Sequence, residues 1–323
     1  MKLRRLLDLL TPFFTLGLIL LAFSLLLTPD GQPVRHFFLT WSNAQFMAAQ
    51  GIVIALGAMG MALILLSGGI DLSAGACAAL SGVVAATLLQ NGCPILPALG
   101  AAILSGGTLG ALNGSLIAGL RIAPFIVTLG TFGVARGVAR WIASETPIHL
   151  PGEIWINAWV APIPAFSWLF VAPGVWGVLV LAVFLALILR FTVFGRHLYA
   201  IGSSEAAAIL CGVRVRTTKV LVYATAGLLF GLAGVAQMAE LHQGNPAGVP
   251  GLELDLIAAA VIGGVKLGGG VGGIFGALLG ALIMTVLQNG CQQAGWPVPM
   301  QEIVIGCVII AAVGLDRLRH GRT

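Results

Sequence analysis

Charge is scarce in this chain. Asp, Glu, Lys and Arg account for 8% of its 323 residues, against roughly 25% in an ordinary soluble domain. Apolar residues account for 59%, and mean hydropathy is +1.04. So few charges cannot cover a soluble surface, and the composition specifies an all-α polytopic membrane protein. Cysteine is sparse too. Cys77, Cys93, Cys211, Cys291 and Cys307 show no CxxC or metal-ligand spacing, which leaves them as packing thiols. No His/Cys/Asp cluster, nucleophile elbow or triad spacing appears, so neither catalysis nor a metal site is expected. A proton-coupled carrier needs a carboxylate near mid-span. The closest, Glu240, sits near the end of its apolar run.

A phosphate loop is absent as well. Gly263-Gly264-Val265-Lys266-Leu267-Gly268-Gly269-Gly270-Val271-Gly272-Gly273 is glycine-rich, but Leu267 follows the lysine where Ser or Thr is needed. The stretch also lies between two apolar runs. It reads as a tight turn whose small residues let helix backbones approach. This chain is expected to bind no cofactor, and any ATP it depends on is used by another chain. A net charge of +5 does not point to nucleic acid, because the basic residues stand at the ends of apolar runs.

Ten apolar runs read as spans, judged against the roughly 20 residues needed to cross a bilayer. They cover 12–28, 44–66, 73–90, 96–119, 124–143, 173–190, 219–240, 254–265, 271–290 and 301–315, the eighth being short. Met1-Lys2-Leu3-Arg4-Arg5 has the charge of a signal peptide. No small-x-small site follows Leu25-Leu26-Leu27-Thr28-Pro29, so an uncleaved first span is expected. Residues 144–172 carry Pro147, Pro151, Pro162 and Pro164. They are expected outside, with an interfacial helix around Trp155 and Trp159.

Charge then sets the orientation. With the N-terminus inside, Lys2, Arg4, Arg5, Arg121, Arg190, Arg196, Arg214, Arg216, Lys219, Lys266, Arg317, Arg319 and Arg322 fall on the inner side. Arg35, Arg136 and Arg140 fall on the outer, which divides the 16 basic residues 13 to 3. The positive-inside rule therefore places both termini in the cytoplasm. One membrane-spanning domain, 1–323, results. Its first half, 1–172, has five spans and the outer loop; its second, 173–323, has the other five. An odd number of spans per half inverts the second half, as in transporters built from inverted repeats. Leu89-Gln90-Asn91-Gly92-Cys93 recurring as Leu287-Gln288-Asn289-Gly290-Cys291 hints at such a duplication.

The most informative stretch is polar, 194–219, flanked by long apolar runs and bracketed by Arg190, Arg196, Arg214, Arg216 and Lys219. A short helix reads inside it. Ser203 or Ser204 is a good N-cap, Glu205 suits the positive helix end, and Gly212 stops the Ala-rich turn. Such a helix is too short to span or to stand alone. It is expected to dock on a soluble, energy-supplying protein. Elsewhere, polar residues within spans are few. Asn113, Thr128, Thr131, Gln288 and Asn289 are candidates for a translocation pathway, and Gln45, Gln50 and Gln237 complete the set. Amides and hydroxyls can hydrogen-bond a neutral polyhydroxyl solute, and they serve equally as glue between helices. Asp71, Glu253 and Asp255 sit near span ends and read as structural or interfacial carboxylates that cap helices.

From Phe194 onward the residues resemble the permease subunits of ribose-type ABC sugar importers. The likeness runs through Gly195-Arg196-His197-Leu198-Tyr199-Ala200-Ile201-Gly202, Glu205-Ala206-Ala207, Gly212-Val213, Leu232-Ala233-Gly234 and Gly251-Leu252-Glu253-Leu254-Asp255-Leu256. It also covers Gly69-Ile70-Asp71-Leu72-Ser73, Asn113-Gly114 and Pro124-Phe125-Ile126-Val127-Thr128-Leu129-Gly130-Thr131, in order over about 50–315. The resemblance implies a bacterial inner-membrane importer with a periplasmic sugar-binding protein, a cytoplasmic ATPase and two permease subunits, identical or not. It implies ATPase coupling through Gly202, Glu205, Ala206, Ala207 and Gly212. Two positions depart from the pattern: Ser203-Ser204 stands where Gly-Asn is usual, and Val265-Lys266-Leu267 where Thr-Ser-Leu is common. The alternatives to weigh are a self-sufficient secondary transporter and a membrane-embedded enzyme.

Overall fold

Proline opens two of the long helices, and a left-handed residue, Arg121 or His242, closes two others. The computed structural model describes residues 2–26, 38–152, 154–162 and 169–320, the side chains of 2–11, 25–26, 309, 311–313 and 315–320 aside. Its elements in order are α1 Lys2–Leu26, α2 Trp41–Leu66, α3 Ala74–Gln90, α4 Ile95–Leu120, α5 Pro124–Ile142, β1 Ile148–His149 and α6 Asn157–Val160. Then come α7 Pro173–Phe191, α8 Val193–Ser203, α9 Glu205–Leu210, α10 Val215–Leu241, β2 Gln243–Gly244, α11 Leu252–Ile262, α12 Ile274–Gln293 and α13 Val298–His320. Pro124 and Pro173 occupy first helical positions, where the missing N–H costs nothing.

Each apolar run holds a helix, though residues 27 and 28 of the first lie outside the described residues. By length and composition, α2, α4, α5, α7, α10 and α12 can cross a membrane. Shorter apolar stretches lie at Pro12–Ser24, Ala74–Gln90 and Val298–Val308. The run at 254–265 holds only the 11-residue α11. That is about 16 Å of helix, half the thickness of a hydrocarbon core.

The centre is made by α2 and α10, which are buried along most of their length; α4, α5 and α7 turn one face outward. Glycine sets the closest crossing. On α4, Gly106, Gly110 and Gly114 recur every fourth residue; the first two meet Gly227 of α10, Gly106 also meets Gly231, and Gly114 meets Val220. A Cβ at Gly110 would collide with the Tyr223 carbonyl, and one at Gly106 with that of Gly227. Small residues at this spacing let two helix backbones touch.

The packing partners are mirrored between the halves. Helix α10 packs along α3 and α4, and α2 packs along α11 and α12. Likewise α3 meets α4 and α5 as α11 meets α12 and α13. The repeated pentapeptide is not part of this likeness. Gly92, at φ +79°, ends α3, whereas Gly290 lies within the continuous helix α12. At the end of the molecule where α10 finishes, β1 pairs antiparallel with β2, Ile148 opposite Gly244. Where an interfacial helix is expected, the structure has the four-residue α6, with Trp155 just before it packed edge to face on Trp159 at 6.1 Å.

Candidate functional site

The polar stretch folds as two helices in series. In α8, Phe194, Leu198 and Ile201 recur at i, i+4 and i+7 and turn toward the spans, Leu198 fully buried. The Thr192 hydroxyl caps it, accepting from Gly195 N at 3.3 Å. Sequence reasoning missed α8. Its signal was present in Thr192 and that apolar period, obscured by Arg196 and His197. Helix α9 is where the sequence places it. Its cap is Ser204, whose Oγ accepts from Ala207 N at 3.3 Å, and Glu205 occupies the first turn. Gly212, at φ +78°, then turns the chain, a conformation that costs an L-residue about 1 kcal/mol. Ile209 and Leu210 point outward, Leu210 being 89% exposed.

Backbone contacts fix α8 to the spans. A Cβ at Gly202 would collide with the Leu66 carbonyl at the end of α2. Gly270 N donates to that same carbonyl at 3.0 Å, and Tyr199 Oη donates to Gly272 O at 2.9 Å. The glycine-rich turn between α11 and α12 therefore joins the end of α2 and the end of α8. Helix α9 is held differently, by a 2.7 Å ion pair from Lys219 Nζ, in the first turns of α10, to Glu205 Oε2. Cavities of 290 and 650 Å³ flank this pair. The smaller is floored by Gly69 and Tyr223; the larger is lined by Arg121, Arg216 and Ile209.

Behind the smaller cavity lies the break between α2 and α3. The Asp71 carboxylate is buried there and accepts from Ser73 N at 2.7 Å and Ser73 Oγ at 2.6 Å. Asn113 Nδ2 of α4 donates to Ser73 Oγ at 2.9 Å, and Leu72 N donates to Thr128 Oγ1 of α5 at 3.1 Å. Burial raises the Asp71 pKa from 3.8 to about 6, with the Ser73 and Asn113 hydrogen bonds pulling the other way. Asp71 thus closes the turn before α3 and, through Ser73, reaches α4; it does not cap α3 as its position suggests, because its oxygen is taken by Ser73 and no side chain caps that helix. Asn113 and Thr128 meet here. Thr131, one turn on, bonds to the Val127 and Thr128 carbonyls of its own helix.

The remaining candidates gather elsewhere. Gln288 Nε2 donates to Asp255 Oδ2 at 2.9 Å, joining α12 to α11. Glu253 lies against Gly75 at the start of α3. Asn289 Oδ1 accepts from Asn43 Nδ2 and Gln293 Nε2, both at 3.1 Å, which ties α12 to the start of α2. All five polar candidates therefore hold hydrogen bonds within this chain, in three separate places.

Comparison with known proteins places this architecture. The family model described as a branched-chain amino acid transport system permease component matches residues 43–313. The chain belongs to this permease family. It is 37% identical to the ribose import permease protein of Escherichia coli K12 over 88% of each chain. It is 36% identical to the D-allose transport system permease protein of the same strain, over 95% of this chain and 90% of the other. It is 34% identical to the L-arabinose ABC transporter permease protein of Azospirillum brasilense, over 88% and 83%. No solved structure matches. The chain is thus a transport subunit of the ABC sugar import type and not an enzyme, and its helices make it a multi-pass membrane protein.

Proposed function

We propose that this permease carries a monosaccharide or similar neutral polar solute across a bacterial inner membrane, inward, by alternating access. Energy comes from ATP hydrolysed on a separate cytoplasmic ABC ATPase. A periplasmic sugar-binding protein delivers the solute, and a second permease subunit completes the pathway. The observation that carries this reading is α9: a capped six-residue helix, with exposed Ile209 and Leu210, mounted between spans and braced on α10. Such an element has no fold-stabilising reason to display apolar side chains, and a groove on a soluble partner would cover them. The printed solutes of the relatives, ribose, allose and arabinose, support the sugar class.

In this reading α9 and both termini lie in the cytoplasm, as the distribution of basic residues supports. The mirrored packing supports two inverted halves that tilt about their shared interface. Asn113, Thr128, Thr131, Gln288 and Asn289 then exchange hydrogen bonds within the chain for bonds to solute as the halves tilt. Copurification of the tagged chain from its native membrane tests the proposal. Mass spectrometry should find an ABC ATPase in stoichiometric amount. A chain that comes alone and moves solute in liposomes without ATP overturns it, in favour of a self-sufficient secondary transporter.

A further inference from the structure

The coupling loop is attached to the spans twice, in two different ways. Helix α8 is locked by backbone, through Gly202 against Leu66 and Tyr199 on Gly272. Helix α9 is attached through the buried Ala208 and a side-chain pair, Glu205 with Lys219. Only Ser204 separates the two helices, extended at φ −162° and ψ 108°. A tilt of α9 about Ser204 therefore leaves α8 wound, and what moves with α9 depends on what grips it.

Glu205 is committed within the chain. Its carboxylate reaches a lysine 14 residues on, at 2.7 Å, across the base of the loop. The lysine is the better-held partner, 15% exposed against 50% for the glutamate. Lys219 belongs to α10, the helix that packs along α2, α3 and α4 together. Arg121 and Arg216 line the same cavity. The outward faces of α9, Ile209 and Leu210, remain free for a partner.

We propose that Lys219 is a positioning residue for transport: Glu205 acts by gripping Lys219, so that movement of α9 drives α10, and not by touching the ATPase. The inference rests on the coupling role proposed above. A partly exposed ion pair adds little to folding stability, so its loss should separate coupling from folding.

The test uses the complete complex, permease with its ATPase and binding protein, in proteoliposomes. Labelled D-ribose, D-allose and L-arabinose serve as probes, and the readout is sugar accumulated per ATP hydrolysed. Lys219→Gln, Lys219→Glu and Glu205→Lys should each lower that ratio about tenfold, a size common for coupling between sites. Each should still copurify with the ATPase and keep the wild-type thermal midpoint. The double exchange Lys219→Glu with Glu205→Lys should restore most of the ratio. A wild-type ratio in Lys219→Gln, a double exchange as poor as its parents, or loss of the ATPase from Lys219→Glu overturns the inference. If the wild-type chain itself binds no ATPase, the coupling role fails first and this inference with it.

Discussion

Asp71 is the carboxylate buried in the break between α2 and α3. It accepts from both Ser73 groups and, through them, holds Asn113. Because burial raises its pKa to about 6, the folded state favours the protonated acid. Its contribution to stability is complete below 3.8 and is lost as pH rises through about 6. Asp71→Asn removes that dependence. In thermal melts of purified protein from about pH 4 to about pH 7, the wild-type midpoint should fall relative to the variant, reflecting on the order of 3 kcal/mol. Parallel midpoints would refute the assignment. Gly212 makes the opposite kind of prediction. Its surroundings are open and only its positive φ constrains it, so Gly212→Val should cost about 1 kcal/mol yet disturb coupling by re-aiming α9. ATP hydrolysis that continues while uptake falls checks this. Ser204, Glu205 and Gly212 were legible because a cap and a stop are local chemistry. The pairings of Gln288 with Asp255 and of Asn289 with Asn43 were not, because those partners stand 33 and 246 residues away.

At the scale of elements, apolar runs were legible as helices because a membrane demands length. Two details depended on more than length. Helix α8 reads as polar sequence, yet its buried stripe of Phe194, Leu198 and Ile201 binds it to the spans. Helix α11 reads as a short span and is a half-length helix. The pentapeptide shared by 89–93 and 287–291 shows how weak a short match is. Its glycine ends one helix and continues another, since helix propensity yields to packing. The crossing of α4 on α10 gives a sharper prediction. Gly110→Val drives a side chain into the Tyr223 carbonyl and should destabilise by about 1–3 kcal/mol, the usual cost of overpacking. Gly130→Ala on α5 meets open space inside a helix and should raise the thermal midpoint slightly, by the equivalent of about 0.5–1 kcal/mol. Equal midpoints for the two variants would contradict the glycine seam.

For the whole molecule, membrane class followed from the low charge, and the family followed from motifs that run in order along most of the chain. The mirrored packing of α2 with α12 and α10 with α4 was not legible in the sequence, because it joins helices far apart along the chain. Helix α9 is braced on α10, a member of this packing. The central claim is that this chain moves solute only when another chain hydrolyses ATP. The direct measurement is uptake of labelled D-ribose, D-allose and L-arabinose into proteoliposomes holding the permease, its ATPase and its binding protein. The account predicts accumulation of at least one sugar that requires ATP on the α9 side and the binding protein on the other. Accumulation by the permease alone, driven by an ion gradient without ATP, would contradict it.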